Sequence, residues 1–452
     1  MCTSASPCPL CPRPADALAQ EILSHAIAGS PPVNGHHNRN YVVRLTPSMA
    51  RRLGREPGSQ VLVRVPRHPE LPVVIRTWDR DHEGHVMGAA RPLVERVPEC
   101  LRQYKDLAIH AYVPGRALSE ECGDGKPVDA LLAREAVGIL ARTHQVKADA
   151  LPDLPPGRSP AESGRDFLRA LAHQAHRQIV RANWPEFGDL FTALGIPGDA
   201  LVGFAERVPD LVPRPPGLLH MDLHRGNLLL PEDGGPALCL DWELSSYGDP
   251  LCDLAIHLVR MRYPEHQWEE VMGEWYEAME ERNPGAARGM IRDLPHHLAF
   301  ERAQSVFPDV IRAARTLRTE AGAGDVEGAR QRVLRAVRDA ERPLRLAKLP
   351  DDRAVERALA PWLPSPGSKP AGGRPRWRGA GSRPATTAGG PLLGHVPGPV
   401  GVPAAESLAG VSAPACPCEA GRAPYSAGRE GAPGPSRVPR PGAGLLGTRA
   451  LL

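Results

Sequence analysis

Leu228-Leu-Leu230 and Ala237-Leu-Cys-Leu240 are short apolar runs separated by Pro231-Glu-Asp-Gly-Gly-Pro236, a turn that closes them into a hairpin. Polar residues crowd its two ends: His220, Asp222 and Asn227 precede the first run, and Asp241 and Glu243 follow the second. A hairpin of this length folds Asp241 back to the level of Asn227, so that a carboxylate and an amide oxygen can share one cation. The sequence on both sides has helical periodicity, which embeds the hairpin among helices.

The rest of the chain changes period once. Asn40–Leu45, Val61–Val65, Val73–Trp78 and Leu107–Val113 are rich in β-branched and aromatic residues, and Pro66 to Pro72 forms a loop between two of them. These runs predict a small antiparallel sheet, with a helix over Asp79–Leu93. From Val128 onward the apolar residues recur at helical spacing. Helices are expected over Phe167–Arg181, Trp184–Leu194, Asp199–Val208, Leu251–Arg262, His266–Arg282, Asp293–Ala314 and Gly328–Ala340. Pro114-Gly115 marks the hinge between the two parts. The expected architecture is α+β and bilobal: a flexible N-terminal arm over 1–33 with one helical stretch near Ala15–Ala28, an N-lobe over 34–115 and a mostly helical C-lobe over 116–350. Residues 365–452, dominated by Gly, Pro, Ala, Arg and Ser without periodicity, are expected to be a disordered tail.

Charge and composition exclude several partners. The formal net charge is +3, but residues from Ser365 onward carry ten Lys or Arg against three Glu, which leaves the remainder at −4. No basic surface for nucleic acid or anionic lipid is therefore expected in the folded part. No apolar stretch approaches the ~18 residues of a membrane span, and Met1–Pro14 lacks the basic and apolar regions of a signal peptide. A cytoplasmic location is expected, and no protein partner is indicated. The nine cysteines are scattered and form no disulfide framework; Cys8, Cys11, Cys416 and Cys418 lack a histidine at finger spacing and make a poor zinc site.

Transfer of a phosphoryl group from a nucleotide triphosphate needs a carboxylate to hold the acceptor hydroxyl and oxygen ligands to hold Mg²⁺ against the phosphates. Asp222, Asn227 and Asp241 supply these groups. His220-x-Asp222-x-x-x-x-Asn227, followed by Asp241-Trp-Glu243 and Gly248-Asp-Pro-x-x-Asp253-Leu-Ala255, resembles the aminoglycoside phosphotransferase and choline kinase superfamily, a kinase-like group, and is most similar to its aminoglycoside phosphotransferase branch. The resemblance implies a small-molecule kinase using ATP or GTP. It implies Asp222 as catalytic base, Asn227 and Asp241 as Mg²⁺ ligands, and His220 as a brace for the catalytic loop. Asp249 and Asp253 are read as holding that loop and capping the next helix. The family also places a strand cation on the nucleotide phosphates, paired with an acid on the following helix. Arg76 with Glu83 is the preferred pair, and Arg64 is the competitor.

The phosphate-covering loop is either Gly35-His-His-Asn38 or Gly54-Arg-Glu-Pro-Gly58. Gly123-Asp-Gly-Lys126 is a turn rather than a phosphate loop, because Pro127 stands where a Ser or Thr would bind Mg²⁺. His220 and His224 lack a third ligand for zinc. Glu186, Asp189 and Glu269 offer charge to an amino-sugar acceptor but are equally ordinary on solvated helix faces. The acceptor stays open, and the rival readings are a pseudokinase and a Mg²⁺-dependent phosphate-ester hydrolase.

Overall fold

The computed structural model of the chain describes residues 16–29, 33–34, 38–67, 72–319 and 323–363. Its N-terminal part runs α1 (Ala17–Gly29), β1 (Val33–Asn34), β2 (Asn38–Arg44), α2 (Pro47–Leu53), β3 (Gln60–Pro66), α3 (Glu83–Ala90), β4 (Cys100–Tyr104) and β5 (Leu107–Ala111). The five strands form one antiparallel sheet in the order β1-β2-β3-β5-β4. Strand side chains alternate faces. Tyr41, Val43, Val61, Val63 and Ile109 therefore share a face, and they form one buried cluster with Leu18, Ala19, Ile22, Leu23 and Ala26 of α1. The other face carries Asn40, Val42, Leu62, Arg64 and His110, at paired positions across β2, β3 and β5.

Two expectations change here. The helical stretch expected near Ala15–Ala28 forms as Ala17–Gly29, but not in a flexible arm: its apolar stripe docks on the sheet, and Asp16 caps it by accepting the Leu18 N–H at 2.6 Å. Val73–Trp78 is not a strand: β5 takes the place beside β3, and side chains replace the missing ladder. The Arg76 N–H donates to Gln178 Oε1 at 2.8 Å, and its carbonyl accepts from Gln174 and Gln178.

The second part comprises β6 (Gly115–Ala117), α4 (Leu118–Glu121), α5 (Ala130–Thr143), α6 (Gly164–Ala175), α7 (Ala182–Ala193), α8 (Ala200–Glu206) and β7 (Gly217–Leu219). It continues with β8 (Leu228–Pro231), β9 (Leu238–Cys239), β10 (Ser246–Gly248), α9 (Pro250–Met261), α10 (Glu265–Arg282), α11 (Met290–Thr319), α12 (Ala323–Leu344) and α13 (Asp352–Leu359). A π-helical stretch, His176–Arg181, joins α6 to α7. The lobe continues beyond the expected end at 350: Val355, Leu359 and Trp362 are buried, and Trp362 stacks on Phe187 with ring centroids 4.6 Å apart. The tail lies outside the described residues.

The β8–β9 hairpin forms as expected, with Leu228 opposite Cys239, and gains a third strand from the hinge, β6. At Gly115 a Cβ would run into the Leu230 carbonyl, so the hinge strand can lie this close only as glycine. β7 pairs with β10 just before the loop that carries Asp222. This loop is thus held at both ends by sheet, over a core built from α5, α9 and α10.

Candidate active site

His220 opens the loop and is completely buried. Its Nδ1 accepts the Asp222 N–H at 3.2 Å, so Nε2 carries the proton and donates to the Leu240 carbonyl at 2.9 Å. One imidazole thereby ties the loop to the residue before Asp241. Burial pushes its pKa down to about 4, and the ring lies edge-on to Trp242. Asp253 on α9 accepts the N–H groups of His220 and Met221 at 2.8 and 2.7 Å. Burial raises its own carboxyl to about 6. Asp249 caps α9 through the Leu251 N–H and pairs with the buried Arg214 at 2.6 Å.

Asn227 donates through Nδ2 to the Asp222 carbonyl at 2.9 Å and to Asp222 Oδ2 at 3.1 Å. Its amide nitrogen, rather than its oxygen, therefore faces Asp222. Across the hairpin the Leu240 N–H donates to the Asn227 carbonyl at 2.8 Å, which brings Asp241 level with Asn227. Met221 and Asp241 adopt left-handed backbone, φ 65° and 60°. Such strain in non-glycine residues persists only where the surroundings over-determine it, as at functional sites.

Arg64 on β3 donates to Glu83 on α3 and to Asp241, each at 2.5 Å. Burial works against its charge, but Glu83, Asp241 and Glu243 hold the guanidinium protonated. Glu83 is buried too, and burial raises its pKa against the pull of Arg64. The expected Arg76–Glu83 pair is not formed. Arg76 leaves the sheet with its loop and reaches the buried Glu243 at 3.2 Å, beside Arg80 at 3.0 Å. Of the two proposed phosphate loops, Gly35–His37 lies outside the described residues. Gly54 and Gly58 form the turn between α2 and β3, at the Gln60 end of β3.

Over residues 29–290, more than half of the chain, the sequence matches the phosphotransferase enzyme family (APH). The chain belongs to this family.

Among solved structures it is similar to macrolide 2'-phosphotransferase MphH from Brachybacterium faecium, with 20% identity and a TM-score of 0.40, covering 69% of this chain and 97% of that one. It is also similar to an ethanolamine kinase of Plasmodium vivax, with 14% identity, a TM-score of 0.43 and coverage of 68% and 81%. Choline kinase LicA from Streptococcus pneumoniae is comparable at 14% identity and 0.42, covering 69% and 92%. No curated protein matches the chain. The protein is a phosphotransferase, with the α+β bilobal architecture expected from its sequence.

Three residues of this phosphotransferase were given no place beside Asp222 by the sequence reading, although His224 was weighed there as a zinc ligand. Arg260, in the last turn of α9, places Nη1 on Asp222 Oδ1 and Nε on Glu301 at 2.7 Å. Burial alone would raise the Asp222 carboxyl, but Arg260, with His224 and His220, holds it below its ordinary value. His224 accepts the Gly226 N–H at Nδ1, 3.0 Å, and turns Nε2 toward Asp222 Oδ1 at 3.6 Å. Arg225 lies under the loop, buried, and donates to the carbonyls of Met261, Cys122 and Lys126 at 2.6 to 3.0 Å. A heptad-like spacing from Asp253 to Arg260 on one helix was the only available signal for the first; nothing local marked Arg225.

The hard oxygen donors fit a magnesium ion. The Asn227 amide nitrogen is the atom that serves Asp222, and Asp241 is partly exposed, its side chain at 27%. Among the described residues no group of three or more His, Cys, Asp or Glu side chains could hold a metal. Two protein ligands completed by phosphate and water is the usual Mg²⁺ arrangement. No helix of the described residues is long and apolar enough to cross a membrane.

Proposed function

We propose that this enzyme transfers the γ-phosphoryl group of ATP or GTP to a hydroxyl of a small acceptor. The observation that carries this reading is the meeting of Asp222, Asn227 and Asp241 around one hairpin, within a chain of the phosphotransferase family.

Asp222 orients the acceptor hydroxyl and takes its proton. Its carboxylate is held by Asn227 on one oxygen and Arg260 on the other, so the base is positioned before the acceptor arrives. Asn227 and Asp241 would hold Mg²⁺, which when bound neutralises phosphate charge and sets the triphosphate geometry. Arg64, fixed by Glu83, is the cation for the phosphates, in preference to Arg76. It stands on the sheet face opposite α1 and already touches Asp241. His220 keeps Asp222 and Asp241 in register. Because phosphoryl transfer leaves little covalent chemistry to the protein, positioning and charge stabilisation supply most of the rate.

Thermal unfolding of the protein with and without ATP, GTP and Mg²⁺ tests the nucleotide site, since a ligand bound only by the folded state raises the midpoint. A metal-dependent rise that disappears in Asp241→Ala supports it. No rise with either nucleotide at high concentration rejects it.

A further inference from the structure

A second concave site, built from residues outside the loop of Asp222, lies between α8, α11 and the end of α12. Its volume is about 180 Å³, and Arg207, Arg342, Arg345 and His296 line it beside an apolar wall of Phe204 and Val208. Pockets for drug-sized ligands run to ~300–1,000 Å³, so this one suits a smaller occupant. None of its three arginines forms an ion pair among the described residues, and Arg342 and Arg345 are exposed. By contrast, Arg64, Arg214 and Arg260 each hold two carboxylates. The second site is thus a concentration of positive charge that the protein itself leaves unanswered.

Helix capping accounts for only part of this charge. The carbonyl end of a helix carries about half a negative charge, which one cation answers. Arg207, which closes α8, does so for α12 by donating to the Pro343 carbonyl at 3.0 Å. The side chains of Arg342 and Arg345 make no hydrogen bond among the described residues. Burial, and then the charge of Arg345, hold Arg207 below its ordinary pKa. Arg345 also stands where an arginine is costly. Its N–H donates to the Arg342 carbonyl at 3.2 Å and the Leu346 N–H donates to the Glu341 carbonyl at 3.0 Å, a helix end whose left-handed residue is usually glycine. Here that residue is Arg345, with φ 53°. Strained backbone of this kind collects at ligand clamps.

Guanidinium forks match phosphate oxygens in pairs, and a phosphate carries about −1.5 to −2 at neutral pH, more than a single carboxylate offers to three cations. We propose that this pocket binds a phosphate dianion, free or as a small phosphate monoester, through Arg207, Arg342 and Arg345. The inference goes beyond the phosphotransferase reaction and does not depend on it.

The test is calorimetric titration of the full-length protein, without Mg²⁺ or nucleotide, using inorganic phosphate, glycerol 3-phosphate and acetate at constant ionic strength. Saturable binding of at least one phosphate compound with a Kd of about 1 mM or below is expected, tighter than acetate. The tighter of the two phosphate compounds tells the free anion from the ester. Arg342→Gln and Arg345→Gly are each expected to weaken this binding about tenfold or more. Glycine suits the left-handed backbone, so Arg345→Gly without phosphate should unfold at or above the wild-type temperature, which separates a lost ligand contact from a lost fold. Binding of neither phosphate compound, or acetate binding as tightly, overturns the proposal. So does phosphate binding that survives both substitutions, which would place the anion elsewhere, the site around Arg64 included. A lower unfolding temperature of Arg345→Gly without phosphate would make the side chain a structural cap and overturns it as well.

Discussion

Arg64 and Asp241 meet at 2.5 Å across 177 positions of sequence, one on the central strand of the N-terminal sheet and the other just past the hairpin of the helical lobe. The contact joins the cation proposed here for the phosphates to a carboxylate proposed for the metal. Two opposite charges held this close, with Glu83 behind them, form a preassembled polar centre at the place proposed for a triphosphate and its counter-ion.

Arg64→Lys keeps the charge and loses the fork that serves Glu83 and Asp241 together. Nucleotide affinity is expected to fall by about 10- to 100-fold, as for loss of a charge-assisted pair. Arg76→Gln, which removes the pairing with Glu243 and leaves the Arg64–Glu83 pair in place, leaves it near the wild-type value. Calorimetric titration of both variants decides the assignment; a larger loss in the Arg76 variant would reverse it.

Asp222→Asn retains shape and the contact with Asn227 but removes the proton acceptor. Transfer is expected to drop by about 10²–10⁴-fold while the nucleotide-induced rise in melting temperature persists. Single-turnover product formation measures the first and thermal unfolding the second. Undiminished transfer would remove Asp222 from the role of base.

Acid is expected to destabilise the fold before most carboxylates titrate. Burial lowers His144, His220 and His257 from 6.5 to about 4, and His110 to about 3. As pH falls from about 6.5 to about 4 the unfolded chain takes protons that the folded chain refuses, so stability present at neutral pH is lost through that window. Asp253, raised to about 6, and Glu83, also raised, bind protons first in the folded state and offset part of the loss. With four groups against two, the unfolding free energy should fall between pH 6.5 and 5. The scale is about 1.4 kcal/mol per net proton per pH unit. Urea unfolding at pH 7 and pH 5 checks this: an equal or higher midpoint at pH 5 contradicts it.

Arg225→Met fills similar volume but strands the carbonyls of Cys122, Lys126 and Met261. A loss of about 3 kcal/mol or more is expected from several unpaired buried groups. The readout is the denaturant midpoint at fixed slope. A near-neutral substitution would mean that the loop is supported by its flanking strands alone.

Sequence periodicity located most of the helices after Val128, because each buries an apolar stripe long enough to be seen. The hairpin was legible from its turn residues, and with it the placing of Asn227 beside Asp241. Val73–Trp78 misled because a β-branched run reads as a strand whether or not a ladder partner is left for it, and here β5 had taken the place beside β3. With no strand there, Arg76 pairs with Glu243 instead of Glu83, and Glu83 takes Arg64. Arg260 and Arg225 are ordinary arginines in sequence; their partners come from α11 and from the turn before α5, contacts that no local pattern encodes.

Asp253 and Arg260 belong to the same helix, α9, one gripping the backbone of the catalytic loop and the other its carboxylate. Seven residues and about 10 Å separate them, two helical turns on one face. The helix therefore works as a gauge block whose length and phase set the Asp222 carboxylate relative to its own backbone. A single residue inserted between the two positions would rotate Arg260 by about 100° and carry it off Asp222 without altering any side chain of the site. Across lineages of this protein, α9 should tolerate exchanges of its apolar residues yet keep its length between these two positions unchanged.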